Sequence, residues 1–303
     1  AARDDLADVT PGEPDLANNW GNHVLLRTAS GAYVLLAHLR QGSLQALPGT
    51  WVAAGQAVGA CGSSGRAPVP HAHLHVQSGE ALGSPTLPYH LVNVLVRRAS
   101  DVREFRLCHQ PQEADRITAA PRNERLAQAI GLPTGQRWIY RLTDDSGSNE
   151  VRADLCSELT LLGQSRLIAK NQASVAYEST AAALGCFDRS GPSDPLLDLW
   201  VLAMGLTPLS TAADCWHDRP SLDLLPLGSV RRLLVRCLFP LSAACLSTYH
   251  RRWDDSAHAW LQEGNHRFYL LPGWLWQART RAWIEPGRGV AKLELDAFGC
   301  KRT

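Results

Sequence analysis

The chain has 303 residues, a formal net charge of +1 and 19% charged residues. A chain of this length favours two domains, and its near-neutral charge provides no overall field for binding nucleic acid or an acidic membrane surface, so we expect no nucleic-acid partner. The longest apolar stretch, 233–246, contains Arg236 and Pro240 and falls short of the roughly 18 apolar residues of a membrane span, so we expect none in this chain.

The first part of the chain reads as short strands separated by turns. Residues 23–28 and 33–39 are rich in β-branched, aromatic and other apolar residues, and glycines bound them at short intervals. The segment 48–59 repeats a unit of a glycine-containing turn and a short strand. This pattern predicts a mainly β domain with an antiparallel sheet, which we place at residues 1–120.

The second part changes character and predicts an α+β domain over residues 121–303, for which no function is indicated. Asp194 as N-cap, Pro195 at the first helical position and Gly205 as terminator predict a helix between them. Further helices are expected at 124–130 and 231–237. Strands are expected at 137–143, 151–162, 166–169, 174–179, 258–261, 267–271, 275–284 and 290–295. We expect the tryptophans of this domain to fill a core rather than to line a saccharide groove.

The stretch PHAHLH at positions 70–75 is the strongest indication of chemistry. If it forms a strand, His71, His73 and His75 project from one face, because successive side chains alternate. Neutral imidazole is a good zinc ligand. A catalytic zinc takes three protein ligands and keeps one open position, so further ligands would have to come from elsewhere in the chain.

Five segments in order resemble the lysostaphin-type, or LytM-type, zinc metallopeptidases of family M23, which cut peptide cross-links in bacterial cell walls. They are GNHV at 21–24, LLAHL at 35–39, the glycine-spaced unit at 48–59, CGSSG at 61–65 and PHAH at 70–73. The resemblance covers about residues 1–120. It implies an antiparallel β-sheet groove, a Zn²⁺ cofactor, peptidoglycan peptides as substrate, and a location in the cell envelope, the periplasm or the extracellular space.

The resemblance also implies roles for individual histidines. His73 matches the second histidine of the family's H-x-H pair and would ligate zinc. His71, the first of that pair, and His38 would act as general base and transition-state stabiliser, with the division between them left open. For His75 it implies a supporting or merely exposed role. The remaining histidines outside these motifs are expected at the surface: His90, His109, His217, His250, His258 and His266.

The chain departs from the family pattern in one respect. The other two zinc ligands of the family come from an H-x-x-x-D motif upstream of the GNHV segment, and residues 1–20 contain no histidine. The spacing recurs at His109/Glu113 and His250/Asp254, about as often as chance would give. The chain begins with Ala1, so we expect that the motif lay in a preceding segment and that this chain alone is inactive.

Three functions are compatible with the sequence. The first is a zinc-dependent endopeptidase acting on peptidoglycan cross-links. The second is a non-catalytic LytM-like module that binds a partner or a cell-wall peptide. The third, a biotinyl- or lipoyl-type carrier, needs a lysine at an exposed hairpin tip, and the first lysine of the chain is Lys170.

Overall fold

The computed structural model describes residues 1–143, 150–220, 244–269 and 274–302. The chain divides into two compact units, Ala1–His90 and Leu91–Thr303. The division lies well before residue 120, where the sequence places it. The reason is that three strands after His90 belong to a sheet of the second unit.

The first unit is built on one antiparallel five-stranded sheet, in the order β1-β2-β3-β4-β5. Apolar side chains of β2 and β3 alternate between two small clusters: Val24 and Leu39 belong to one, and Leu25, Leu35 and Ala37 to the other. The mainly β fold predicted here is therefore confirmed. The strands are β1 (Ala2–Arg3), β2 (Asn22–Arg27), β3 (Tyr33–Leu39), β4 (His73–Gln77) and β5 (Thr86–Leu87).

The second unit contains a six-stranded antiparallel meander and two helices. The meander runs in the order β14-β13-β12-β11-β10-β9. Its strands are β9 (Arg137–Thr143), β10 (Glu150–Leu159), β11 (Ser165–Ala169), β12 (Ser174–Ser179), β13 (Ala183–Ser190) and β14 (Leu206–Pro208), and the helices are α1 (Glu124–Ala129) and α2 (Pro195–Met204). The segment 231–237, predicted as a helix, lies outside the described residues.

An eight-stranded sheet completes the second unit, in the order β19-β18-β17-β16-β15-β7-β6-β8. Its β15–β7 pair is parallel, and the other pairs are antiparallel. The strands are β6 (Leu91–Arg97), β7 (Glu104–His109), β8 (Arg116–Ala119), β15 (Cys215–Asp218), β16 (Ala244–Asp254), β17 (Ala259–Tyr269), β18 (Trp274–Glu285) and β19 (Gly289–Arg302). Helices are few, so the unit is more strongly β than the predicted α+β class suggests.

Helix α2 is buried on most of its surface because it packs in the main core of the second unit. Asp194 accepts the backbone N–H of Leu197 at 2.8 Å, as the predicted N-cap requires. The core around the helix draws Leu167 from the meander and Ile284 from the large sheet. Trp200, Trp216 and Trp260 are buried, as expected for core residues, whereas Trp253 is 42% exposed. No helix in the described residues is long and apolar enough to cross a membrane.

Candidate functional site

His38 lies at an irregularity near the end of β3. The pairing of β2 with β3 shifts there, since Asn22 lies opposite Leu39 while His23 lies opposite Ala37. His38 is the residue skipped by this register, and its φ is 60°. A bulge of this kind redirects one side chain out of the regular alternation. The left-handed backbone at a residue other than glycine is uncommon and often found at functional sites.

The CGSSG run holds the His38 ring in place. Nδ1 of His38 lies 2.9 Å from the carbonyl oxygen of Ser64. A carbonyl oxygen only accepts, so Nδ1 carries the proton and Nε2 of the neutral ring keeps its lone pair. The Ser64 hydroxyl donates to the Leu39 carbonyl at 2.7 Å and accepts the Asn22 N–H at 2.9 Å. Gly21 has a φ of +56°, and a Cβ there would collide with the Ser64 carbonyl, so this approach requires glycine.

His71 lies just before β4 and is held by the same run. Its backbone N–H donates to the Gly62 carbonyl at 3.0 Å, and the two residues form an isolated β-bridge. Nδ1 of His71 lies 2.8 Å from the Val69 carbonyl, so Nδ1 carries the proton in the neutral ring and Nε2 is then free to accept. His38 and His71 therefore present the same nitrogen in the same state.

A hydrogen-bond chain fixes the tautomer of His73 from its far end. The Gln77 amide donates to the carbonyls of Gly79 and Ala81, at 2.6 and 2.9 Å, which turns its oxygen toward His75. Nε2 of His75 then donates to that oxygen at 3.0 Å, and Nδ1 of His75 accepts from Nε2 of His73 at 2.9 Å. The remaining nitrogen of neutral His73, Nδ1, is therefore unprotonated.

The predicted histidines come together in space. The ring centroid of His38 lies 4.7 Å from that of His71 and 5.9 Å from that of His73. Trp20 borders the cluster, with its centroid 5.4 Å from His73 and 5.2 Å from His75. His38 is buried, and the other three histidines are half-buried.

Burial lowers the pKa of His38 and of His73 below the usual imidazole value of 6.5. Nearby imidazoles add to the effect, His71 for His38 and chiefly His75 for His73. Both rings are therefore held in the neutral form at neutral pH, and a neutral ring has a lone pair with which to accept a proton or bind a metal.

The comparison with known families is decisive for this unit. Residues 9–85 match the model of peptidase family M23. These residues form an M23-type peptidase domain. The match includes all four histidines of the cluster, together with the GNHV segment at 21–24 and the CGSSG run at 61–65. Neither a curated protein nor a solved structure matches the chain.

The side chains of the M23-type domain do not make a complete metal site. Among the described residues, no group of three or more His, Cys, Asp or Glu side chains is arranged to hold a metal ion. His73 can offer a metal only Nδ1, because its Nε2 donates to His75. The zinc cofactor implied by the resemblance therefore does not fit the ligand set described here.

Several residues of the M23-type site escape sequence reasoning. They are Trp20, which contacts His73, Ser64, which bonds His38, and Gln77, which bonds His75. The sequence offers a signal for two of them only: Trp20 lies beside GNHV, and Ser64 lies within CGSSG.

Two histidines of the second unit are buried rather than at the surface where we expected them. His109 is 8% exposed and lies 2.7 Å from Asp115, and His266 is 1% exposed and hydrogen-bonds the hydroxyls of Ser247 and Thr280. Polar partners at both sites compensate for burying an imidazole.

Proposed function

We propose that the M23-type domain is the peptide-cleaving domain of a zinc-dependent endopeptidase that acts on peptidoglycan cross-links. The observation that carries the proposal is the cluster of His38, His71 and His73 within a segment that matches a peptidase family. Peptidoglycan lies outside the cytoplasmic membrane, so the proposal also assigns the protein to the cell envelope, the periplasm or the extracellular space.

His38 and His71 are proposed to handle the protons of the reaction. Each ring is anchored through Nδ1–H to a backbone carbonyl, so that Nε2 is the nitrogen with the lone pair when the ring is neutral. An imidazole in this state accepts a proton from an attacking water and, once charged, can donate to a developing oxyanion or a leaving amine. His38 is the more rigidly held of the two, because it is buried at a bulge, and it suits the stabilising role.

The proposed endopeptidase activity requires bound zinc. His73 would contribute Nδ1, and the described residues supply no complete set of partners for it. We therefore expect this chain by itself to hold no zinc tightly and to cleave nothing. Cleavage is expected once an H-x-x-x-D motif is supplied upstream of Gly21.

The test compares zinc content and muropeptide cleavage for this chain and for an extended product in which an added segment with an H-x-x-x-D motif precedes it. His71→Ala in the extended product should lower cleavage by on the order of 100-fold or more, as loss of a general base or acid does, while zinc content and folding stay unchanged. His90→Ala is the matched control, since His90 is exposed in the same unit and outside the cluster. Zinc binding without cleavage by the unmodified product would contradict the proposal.

The second candidate is a non-catalytic LytM-like module that binds a cell-wall peptide or a partner. The incomplete metal site favours it. Retention of three imidazoles with fixed tautomers favours the enzyme, because peptide binding alone has no need of them. An extended product that binds muropeptides, but neither binds zinc nor cleaves the muropeptides, would support the module.

A further inference from the structure

The second unit has a cavity of about 980 Å³ on the outer face of its large sheet. Strands β15 to β18 form its floor, and Arg106 of β7 borders it. The alternation along β17 identifies the face: Asn265, Arg267 and Tyr269 are exposed, whereas His266 and Phe268 between them are buried. A cavity of this size accommodates a drug-sized ligand or a short oligomer.

The lining of this cavity is strongly basic. It includes Arg106, Arg219, Arg267 and Arg279, against Asp218 as the one acidic residue among its described members. Burial raises the pKa of the Asp218 carboxyl, which weakens its ability to compensate for the arginines.

The four arginines differ in their acidic neighbours, and Arg279 lies opposite Asp296 of β19. Arg106 lies 2.8 Å from Glu104, which is also 3.2 Å from Nε2 of His217. Within the described residues, no carboxylate lies within ion-pair distance of the Arg219 or Arg267 side chain. Guanidinium groups gathered in one concavity with few carboxylates raise the local positive potential and favour an anionic ligand.

The register of β17 and β18 brings four side chains with hydrogen-bond donors together in one block. Arg267 lies opposite Gln277, and Asn265 lies opposite Arg279, so guanidinium and amide side chains alternate across the two strands. Arg267 and Arg279 are then diagonal neighbours, about 7–8 Å apart at their backbones. Two arginine side chains at that spacing can each bind a separate acidic group of one ligand. A guanidinium group binds carboxylate or phosphate through two parallel hydrogen bonds.

One end of the block is apolar. Leu246 lies opposite Arg267 on β16 and is 40% exposed, and Tyr269 is 38% exposed at the end of β17. Both line the cavity. A ligand that met this surface would therefore have an uncharged portion as well as acidic groups, as an oligomer with spaced charges does.

We propose that this cavity binds an oligoanion, a ligand several units long that carries two or more carboxylate or phosphate groups. The site lies wholly in the second unit, and the proposal does not depend on the activity of the M23-type domain. It gives the second unit, Leu91–Thr303, a ligand-binding role.

Calorimetric titration of the full chain tests the proposal with two probes and a neutral reference. Trigalacturonate represents spaced carboxylates, tripolyphosphate represents phosphates, and maltotriose carries no charge. At about 50 mM salt, where surface charges are little screened, we expect at least one anion to bind and maltotriose not to bind. The anion that binds identifies the acidic group. Binding of neither anion, or equal binding of maltotriose, would overturn the proposal.

The variant Arg267→Gln/Arg279→Gln should weaken anion binding by about tenfold or more, because each arginine contributes a charge-assisted contact. The matched control is Arg141→Gln/Arg152→Gln, which removes the same charge from an exposed cross-strand pair on the meander. The control should change affinity by less than about twofold. An equal loss in both variants would show a nonspecific charge effect and reject the site.

A second measurement needs no variant and so does not depend on its folding. Phenylglyoxal modifies accessible arginines, and mass spectrometry locates the products. Bound anion should slow modification of Arg267 and Arg279 and leave Arg141 unchanged. Unchanged rates at all three positions would overturn the assignment of the ligand to this cavity.

Discussion

At the residue scale, His38 combines a strained backbone with a defined side-chain contact. Its φ of 60° suits glycine, which has no Cβ, whereas its ring bonds the Ser64 carbonyl. The H-x-H pattern alone predicted that the histidines of positions 71–75 share a face. It could not predict this conformation, because the bulge arises from how β2 pairs with β3.

Substitution at His38 separates these two contributions. Both His38→Ala and His38→Gly lose the ring and its hydrogen bond, so their difference reports the backbone. We expect the glycine variant to be more stable by about 1 kcal/mol, since alanine retains the Cβ penalty of the left-handed region. Urea denaturation followed by circular dichroism measures the difference.

The neighbouring position supplies the control. Ala37 is fully buried in regular β3, so Ala37→Gly should be less stable than the unmodified chain, which reverses the order expected at position 38. An alanine variant at position 38 as stable as the glycine variant would show that the left-handed backbone carries no strain.

At the element scale, local signals predicted α2 well and one strand poorly. The helix follows from Asp194, Pro195 and Gly205, which lie at its ends and act through nearest neighbours. Strand β17 was expected as two short strands, 258–261 and 267–271, yet it runs without interruption from Ala259 to Tyr269. Gly264 explains the difference: a Cβ there would lie 2.5 Å from Oγ1 of Thr280, so this glycine permits close approach within a strand rather than a turn.

Helix α2 also forms a buried ion pair with β13 that no local sequence pattern shows. The carboxylate of Asp198 lies 2.9 Å from Nε of Arg189, and both side chains are buried. Asp198→Ala should destabilise the chain by about 3–5 kcal/mol, because it leaves a buried guanidinium without its carboxylate. The matched variant Asp194→Ala removes the N-cap on the same helix and should cost only about 1 kcal/mol. Urea denaturation compares the two, and equal costs would contradict a dominant role for the buried pair.

At the scale of the whole molecule, the domain boundary was the least predictable feature. Residues 91–119 read as a continuation of the first β domain because they share its short strands and turns. They belong instead to the large sheet of the second unit, because Glu104 and Phe105 pair in parallel with Cys215 and Trp216, far along the chain. Alternation and turn residues determine the faces and lengths of strands, but they do not determine which distant strand each one joins.

Among the described residues, each hydrophobic cluster has members from one unit only. We therefore expect the two units to lose structure separately. Leu35→Ala and Leu167→Ala each remove a fully buried leucine, from β3 and β11 respectively, and should each cost about 2–5 kcal/mol. Hydrogen exchange measured by mass spectrometry should show faster exchange across β2–β3 for the first variant and across β10–β11 for the second.

Exposed leucines provide the controls, with Leu16→Ala in the first unit and Leu161→Ala in the second, and neither should alter exchange in these strands beyond a small change. If Leu35→Ala accelerated exchange in β10–β11 as much as in β2–β3, the chain would unfold as one cooperative body. If the units unfold separately, a substitution in the histidine cluster leaves the stability of the unit with the basic cavity unchanged, and the reverse also holds. The two proposed sites can then be tested independently in one chain.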